Sequence, residues 1–375
     1  MKKALYGTTA LFAAGALMAS PASAAEKIKL GVGGYYQSVF SFVDQDEPNN
    51  VRGWHKNNLR QEGEVHFTGS TTLDNGITFG VQIQLEAITQ SDQIDEHFLY
   101  VEGSFGRANI GAENSAPYLM GYTAPTVALG VNSPNFFLFE TLGGAGTATV
   151  IDVKTSDANK LTYFSPRFSG FQLGVSYTAN TDVRGGDRQT AGLTPDNDEL
   201  GNNVTATEEA VSDFISLGAN YVQTFDNIDV AVSLGYVTGT WEDESGSENG
   251  TGLPLESLQE YGFGLNVGFS GFTVGGSFYH SNNFVDDGKL ATNAYDVGVT
   301  YETGPWGVGL AYLHSETQAF SSWDSDEQDL VELGLSYAMG PGIKLVVSGQ
   351  YFNEDNDSTA DTDGVGFAVG SMLSF

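Results

Sequence analysis

The sequence predicts an all-β fold, a transmembrane antiparallel β-barrel of about sixteen strands with short turns on one rim and long loops on the other. Three observations carry this expectation. Apolar and small or polar residues alternate with period 2 from residue 28 to the end. The connections between these runs are short and long by turns. The last run places Val365, Phe367, Val369, Ser371, Leu373 and Phe375 on one face and stops on that aromatic residue. Chain ends usually fray in water, whereas a strand that closes a barrel against the first strand leaves no edge exposed to hydrocarbon.

The N-terminus is consistent with export. Lys2 and Lys3 form a positive n-region, residues 10–19 an apolar run, and Ala22-Ser23-Ala24 after Pro21 a small-x-small cleavage site. Residues 1–24 are read as a signal peptide and 25–375 as the barrel domain. No later run of about 18 apolar residues exists, so helical spans are not expected. Forty-eight glycines, 24 Phe and 17 Tyr suit a turn-rich barrel with aromatic girdles, and the absence of cysteine removes disulfides as its staple.

Looser alternation fills 28–43, 58–73, 77–90, 94–104, 107–113 and 159–164. Cleaner alternation follows at 171–178, 228–236, 261–269, 295–301, 306–312, 331–337, 343–351 and 365–375, and 212–223 and 272–282 complete the set. Asp74-Asn75-Gly76, Gly103–Gly106, Ser165–Gly170, Phe225–Asn227, Ser270-Gly271, Glu302–Pro305 and Met339–Gly342 are tight turns. The loops between them are polar and longer, apart from a short one near 91–93. Antiparallel strands place alternate connections at opposite ends, so every tight turn belongs to one rim. Phe105, Phe164, Phe168, Phe171, Phe225, Phe269, Phe272, Tyr301, Trp306, Tyr337 and Phe375 flank those turns as an interfacial girdle. The opposite strand face is mostly small or polar, which predicts an aqueous channel.

Charge excludes one class of partner. Forty-seven acidic residues against 15 basic ones argue against nucleic acid and favour either surface solvation or a cation-friendly interior. No cofactor is expected. His55, His66, His97, His280 and His314 lack metal-ligand spacing, and Gly31-Val32-Gly33-Gly34 precedes no helix that would make it a phosphate loop. Asp324–Asp329 and the group Glu354, Asp355, Asp357, Asp361 and Asp363 lack EF-hand spacing. They read as solvated loops, or as sites where divalent ions bridge to lipopolysaccharide.

Several segments resemble the general bacterial porins, particularly those of alphaproteobacteria. They are Asn159-Lys160-Leu161-Thr162-Tyr163-Phe164-Ser165-Pro166 with Phe168, Gly170 and Phe171; Leu73-Asp74-Asn75-Gly76-Ile77 with Gln84-Leu85-Glu86; and Tyr100-Val101-Glu102-Gly103 through Phe105-Gly106 to Ile110-Gly111. With the terminal Phe, the similarity spans the mature chain. It implies an outer-membrane homotrimer whose pores pass small hydrophilic solutes and ions, each narrowed by a third loop folded inward. The terminal strand ending in Phe375 would be read by the outer-membrane assembly machinery. That loop maps to 114–158 and carries Glu140, Asp152 and Asp157, with Glu113 at its base. Arg60 matches one of the family's opposing wall arginines, and Lys29 and Lys160 are further inward candidates. The sequence departs from the pattern where Glu62, Glu64 and His66 share the face of Arg60. Asp229, Asp296, Glu302, Glu332 and Lys344 complete the expected pore wall, which predicts cation preference. A substrate-specific channel, an outer-membrane hydrolase (no Ser–His pair is evident) and a soluble exported β-protein are the alternatives.

Overall fold

The computed structural model describes residues 27–46, 55–88, 93–132, 138–139, 151–152, 154–181, 210–242, 257–283, 291–318, 325–356 and 361–375. Residues 1–24, expected above to be a signal peptide, and Glu140 lie outside these residues.

The strands follow the alternation in order. First come β1 (Lys29–Gln45), β2 (Asn57–Thr72), β3 (Thr78–Glu86), β4 (Ile94–Gly103) and β5 (Gly106–Ala112). A short helix, α1 (Ala116–Met120), interrupts before β6 (Asn159–Phe164) and β7 (Phe171–Asn180). Then follow β8 (Ala210–Phe225), β9 (Ile228–Glu242), β10 (Leu258–Phe269), β11 (Phe272–Ser281) and β12 (Thr292–Thr303). The last are β13 (Trp306–Gln318), β14 (Ser325–Gly340), β15 (Ile343–Asp355) and β16 (Thr362–Ser374). Each strand pairs with its sequence neighbour, and β1 pairs antiparallel with β16, so the barrel is closed.

Closure explains the aromatic ending. Gly34 N–H donates to Phe375 O at 3.0 Å and Phe375 N–H returns to Gly34 O at 3.1 Å, so the terminal residue is paired and the sheet has no edge. The tight turns depend on glycine. Gly106 has φ +108° and a Cβ there would lie 2.2 Å from Phe164 O; Gly342 has φ +71° and would meet Ser374 O at 2.1 Å.

The two faces separate as period 2 requires. Leu265, Leu310, Leu333, Phe367 and their neighbours form an exposed apolar outer band. Girdle rings pack in pairs at the tight-turn rim, tilted for Phe171–Tyr221 at 4.5 Å and Phe272–Tyr301 at 4.4 Å and edge-on for Trp306–Tyr337 at 4.6 Å. One girdle residue differs from expectation. Phe164 shares the inward face of Lys160 and Thr162, beside Gly174, and Tyr163 is the outward ring, its hydroxyl donating to Phe105 O at 2.6 Å. A turn-flanking position fixes depth but not parity, and parity is set by the ladder.

The apolar core lies inside the barrel. Inward Val39, Leu313, Leu330, Val346 and Phe352 pack with Ala124, Ala128, Leu129, Val131, Leu138 and Phe139 of the loop after β5. A second cluster joins Ile151 to Phe214, Val237, Leu258, Tyr279 and Ala294. The expectation of a mostly small or polar inward face did not include these apolar inward side chains, which the loop covers.

Candidate functional site

The described residues of the loop between β5 and β6 lie inside the barrel along its wall. α1 packs on β7, β8 and β9, and Ala116 N–H donates to Ser176 Oγ at 2.8 Å. Tyr122 N–H donates to Ser233 Oγ of β9 at 2.9 Å. The chain then passes Gly264 of β10, Gly298 of β12, Gly307 and Gly309 of β13, and Gly334 of β14, with Leu138 and Phe139 over Gly366 of β16. These inward glycines form a track. A Cβ on Gly264 would lie 1.9 Å from Tyr122 O, and one on Gly298 2.8 Å from Pro125 O. Arg60 Nη2 on β2 donates to Leu138 O at 3.0 Å and holds the far end. Phe139 stacks on Phe352 with centroids 5.0 Å apart.

Two expected wall carboxylates lie beneath this loop. Asp296 is 4% exposed and Oδ1 accepts Ala124 N–H at 3.0 Å and Ser277 N–H at 2.5 Å; Asn132 Nδ2 donates to its Oδ2. Glu332 is 2% exposed and accepts Leu129 N–H at 2.9 Å, Gly130 N–H at 2.8 Å and Ser348 Oγ at 2.6 Å. Hydrogen bonds to a charged acceptor contribute about 1.5–3 kcal/mol each. Glu260, which lay just outside the alternating run identified in the sequence, does the same on β10, accepting Asp152 N–H at 3.1 Å and Tyr279 Oη at 2.8 Å.

Most expected constriction charges gather at the root of the loop and are buried there. Glu113 is bonded by Asn109 Nδ2 at 2.8 Å, and burial pushes its carboxyl up to about 7. Asp152 accepts Ser216 Oγ at 2.5 Å, and burial likewise raises it. Asp157 is bonded by Ser156 Oγ at 3.1 Å. Lys160 spends its ammonium on three loop carbonyls, of Thr155 at 2.9 Å, Ser156 at 2.5 Å and Ala158 at 3.1 Å. These residues build the loop's base. Lys29, Asp229, Glu302 and Lys344 point inward beside the tight-turn rim, lining one mouth.

Another group faces the remaining water. Tyr35, Gln37, Glu62, Glu64, His66, Gln82 and Glu86 share the inward face of β1–β3 and are half-buried. Tyr35 Oη lies 2.8 Å from Glu62 Oε1 and 2.7 Å from Glu64 Oε1, so one phenol hydrogen serves two carboxylates. Gln37 Nε2 donates to Glu62 at 2.6 Å, and His66 Nε2 lies 2.7 Å from Glu64 Oε2. One ligand oxygen each from Glu64, Glu86 and Asp95 falls within 4.8 Å of the others, a set able to hold a cation. Glu86 shares inward parity with Glu64, a signal present in the sequence; Asp95 follows the β3–β4 register shift, where parity fails. Beyond it, Gln84 Nε2 and Asn114 Nδ2 donate to buried Glu96. On β5, the Arg107 guanidinium sits 4.0 Å over the inward ring of Tyr100.

A closed sixteen-strand barrel with an apolar outer band, a loop folded inside and an acidic water-facing arc defines a channel of the outer-membrane class. The chain matches the Gram-negative porin family over residues 7–357 and belongs to it. It is 23% identical to an uncharacterized protein of Rickettsia prowazekii (strain Madrid E), covering 92% of this chain and 91% of that one. It is likewise 23% identical to a monosaccharide porin of Halomonas sp., over 90% and 100% of the two chains. Among solved structures it resembles OmpF of Salmonella typhi in complex with daunomycin (TM-score 0.63, 17% identity, 92% and 97% covered). It also resembles the anion-selective porin of Comamonas acidovorans (TM-score 0.61, 15% identity, 93% and 100% covered). The protein is an outer-membrane porin.

Proposed function

We propose that this porin is a water-filled, cation-preferring channel for passive diffusion of small hydrophilic solutes and ions. The observation that carries the charge preference is the convergence of Glu64, Glu86 and Asp95, with Glu62 beside them, on the half-buried arc of β1–β4. Three carboxylates so close raise the local concentration of cations, and low-dielectric walls focus their field. The four carboxylates outnumber the two bases of that arc, Arg60, which donates to the Leu138 carbonyl, and His66, which lies against Glu64. Anion selectivity, which names the Comamonas neighbour, is not transferred, because the chain carries 47 acidic residues against 15 basic ones. A dedicated sugar slide is the weaker reading, since the Tyr100 ring already has Arg107 over it. The same proposal takes residues 1–24 as a cleaved leader, the assembly as a homotrimer in lipid and lipopolysaccharide, and the β16 strand as the segment recognised during insertion.

Reversal potential across a planar bilayer under a salt gradient tests it. The wild type should prefer cations in dilute salt and less so as salt rises. Glu62→Gln with Glu64→Gln should cut the preference more than Asp152→Asn, whose carboxylate is buried in the loop root. Anion preference of the wild type in dilute salt refutes the reading.

A further inference from the structure

The inner wall near the long-loop mouth carries a polar row that neither the pore nor the loop accounts for. In register across β13–β16, Ser315 faces Gln328, Gln328 faces Glu354, and Glu354 faces Thr362. All four are inward and buried. Glu354, which the sequence grouped with loop carboxylates, is therefore part of the wall. Asp326 shares the inward face two residues before Gln328, on the mouth side of the row. On the other side lie Leu313, Leu330 and Phe352, whose side chains have no hydrogen-bonding atom. Thr362 is satisfied, accepting Gln45 Nε2 at 3.2 Å and donating to Asp46 O at 3.0 Å. Gln328 is not. Neither Oε1 nor Nε2 of its wholly buried amide has a hydrogen-bond partner, and the hydroxyl of Ser315 has none either. Burying an unbonded amide is costly, so in a native fold such a group faces something that fills it.

We propose that Glu354, Gln328 and Ser315, with Asp326 at the edge, form a calcium-binding site on the inner wall at the long-loop mouth. Side chains directly opposite in a sheet have Cβ atoms about 4.5–5.5 Å apart, so oxygens from three neighbouring strands can converge on one ion at about 2.3–2.6 Å. Carboxylates mixed with neutral amide and hydroxyl oxygens suit calcium, whose coordination is flexible; magnesium demands a strict octahedron and keeps several waters. The ion takes Gln328 Oε1 and draws a Glu354 oxygen within reach of Nε2, which satisfies both ends of the amide. It thereby ties the mouth ends of β13, β14 and β15 together.

A chain with 47 acidic residues attracts calcium weakly in many places, so the deciding variant is one that removes no charge. Calcium is titrated by calorimetry into the EDTA-treated, detergent-solubilised protein, and thermal unfolding is followed with and without the ion. The wild type should show one saturable site per chain above the weak background, and calcium should raise its unfolding temperature. Gln328→Leu should weaken that site by about tenfold or more although no charge changes. Glu327→Gln with Asp355→Asn, a facing pair at the same depth on the outer face, should leave it intact. Without calcium, Gln328→Leu should unfold no earlier than wild type, because the leucine extends the apolar layer and no amide is left unbonded. Saturating calcium should reverse that order. Calcium held only by exposed carboxylates, with no saturable site in the wild type, overturns the proposal. So does a site unchanged by Gln328→Leu, or a leucine variant that unfolds earlier by the same margin with and without calcium. If Gln328→Leu does not fold, Ser315→Ala decides by the same titration, undiminished affinity counting against the site. Binding is read without current, so the result is independent of the channel reading.

Discussion

A single methyl group at position 264 tests whether the loop lies where the structure places it. Gly264 is on the inward face of β10 with backbone angles open to any residue, so alanine there is not intrinsically strained. In a strand free of neighbours, Gly→Ala would stabilise by about 0.5–1 kcal/mol. Here the new Cβ would sit 1.9 Å from Tyr122 O and 2.8 Å from Tyr122 C. Carbon contacts settle near 3.5 Å, so the loop must retreat by roughly 1.5 Å. That motion breaks the 2.9 Å bond from Tyr122 N–H to Ser233 Oγ, worth about 1 kcal/mol, and overpacking adds about 1–3 kcal/mol. Gly264→Ala should thus destabilise by about 1–3 kcal/mol in urea titrations of the detergent-solubilised protein. It should also reduce single-channel conductance, because the loop can only move inward. Gly349→Ala, with nothing within 4 Å of its Cβ, is the control. If Gly264→Ala matches that control in stability and passes wild-type current, the loop does not occupy the glycine track.

Other consequences follow from the same geometry. Leu265→Arg, on the lipid face one residue along, should cost about 2–4 kcal/mol, whereas Gln82→Arg, inward and half-buried, should fold and shift the reversal potential toward anions. Glu113 prefers its neutral form in the fold, so between its ordinary range and about 7 the folded state binds the extra proton and stability falls as pH rises. Glu113→Gln should flatten that decline, by at most about 3 kcal/mol, in unfolding titrations from pH 4 to 8. An identical slope in the variant would assign the decline to other groups.

Strand count, strand order and closure were determined by the sequence alone. Period 2 assigns every residue to one of two faces, and a chain with sixteen such runs, tight turns on alternate connections and an aromatic last residue has few ways to satisfy its backbone except by closing. The terminal pairing of Phe375 with Gly34 follows from that need. Parity also placed Glu62, Glu64, Asp296 and Glu332 inside, and there its information ends. All four have the same local pattern, yet the first two meet water and the last two meet backbone N–H groups of a loop more than 160 residues away in sequence. Parity is a local property of a strand, whereas contact with water depends on which long-range segment covers the strand. The inward glycines show the same ambiguity, since an empty face that would widen a pore can equally be the seat of a loop. Asp95 escaped parity altogether, because the register shift between Ile83 and Leu85 breaks the count on which it relies. The tertiary structure alone decided which carboxylates anchor the loop and which confront the permeating ion, because that choice is made by packing across the lumen.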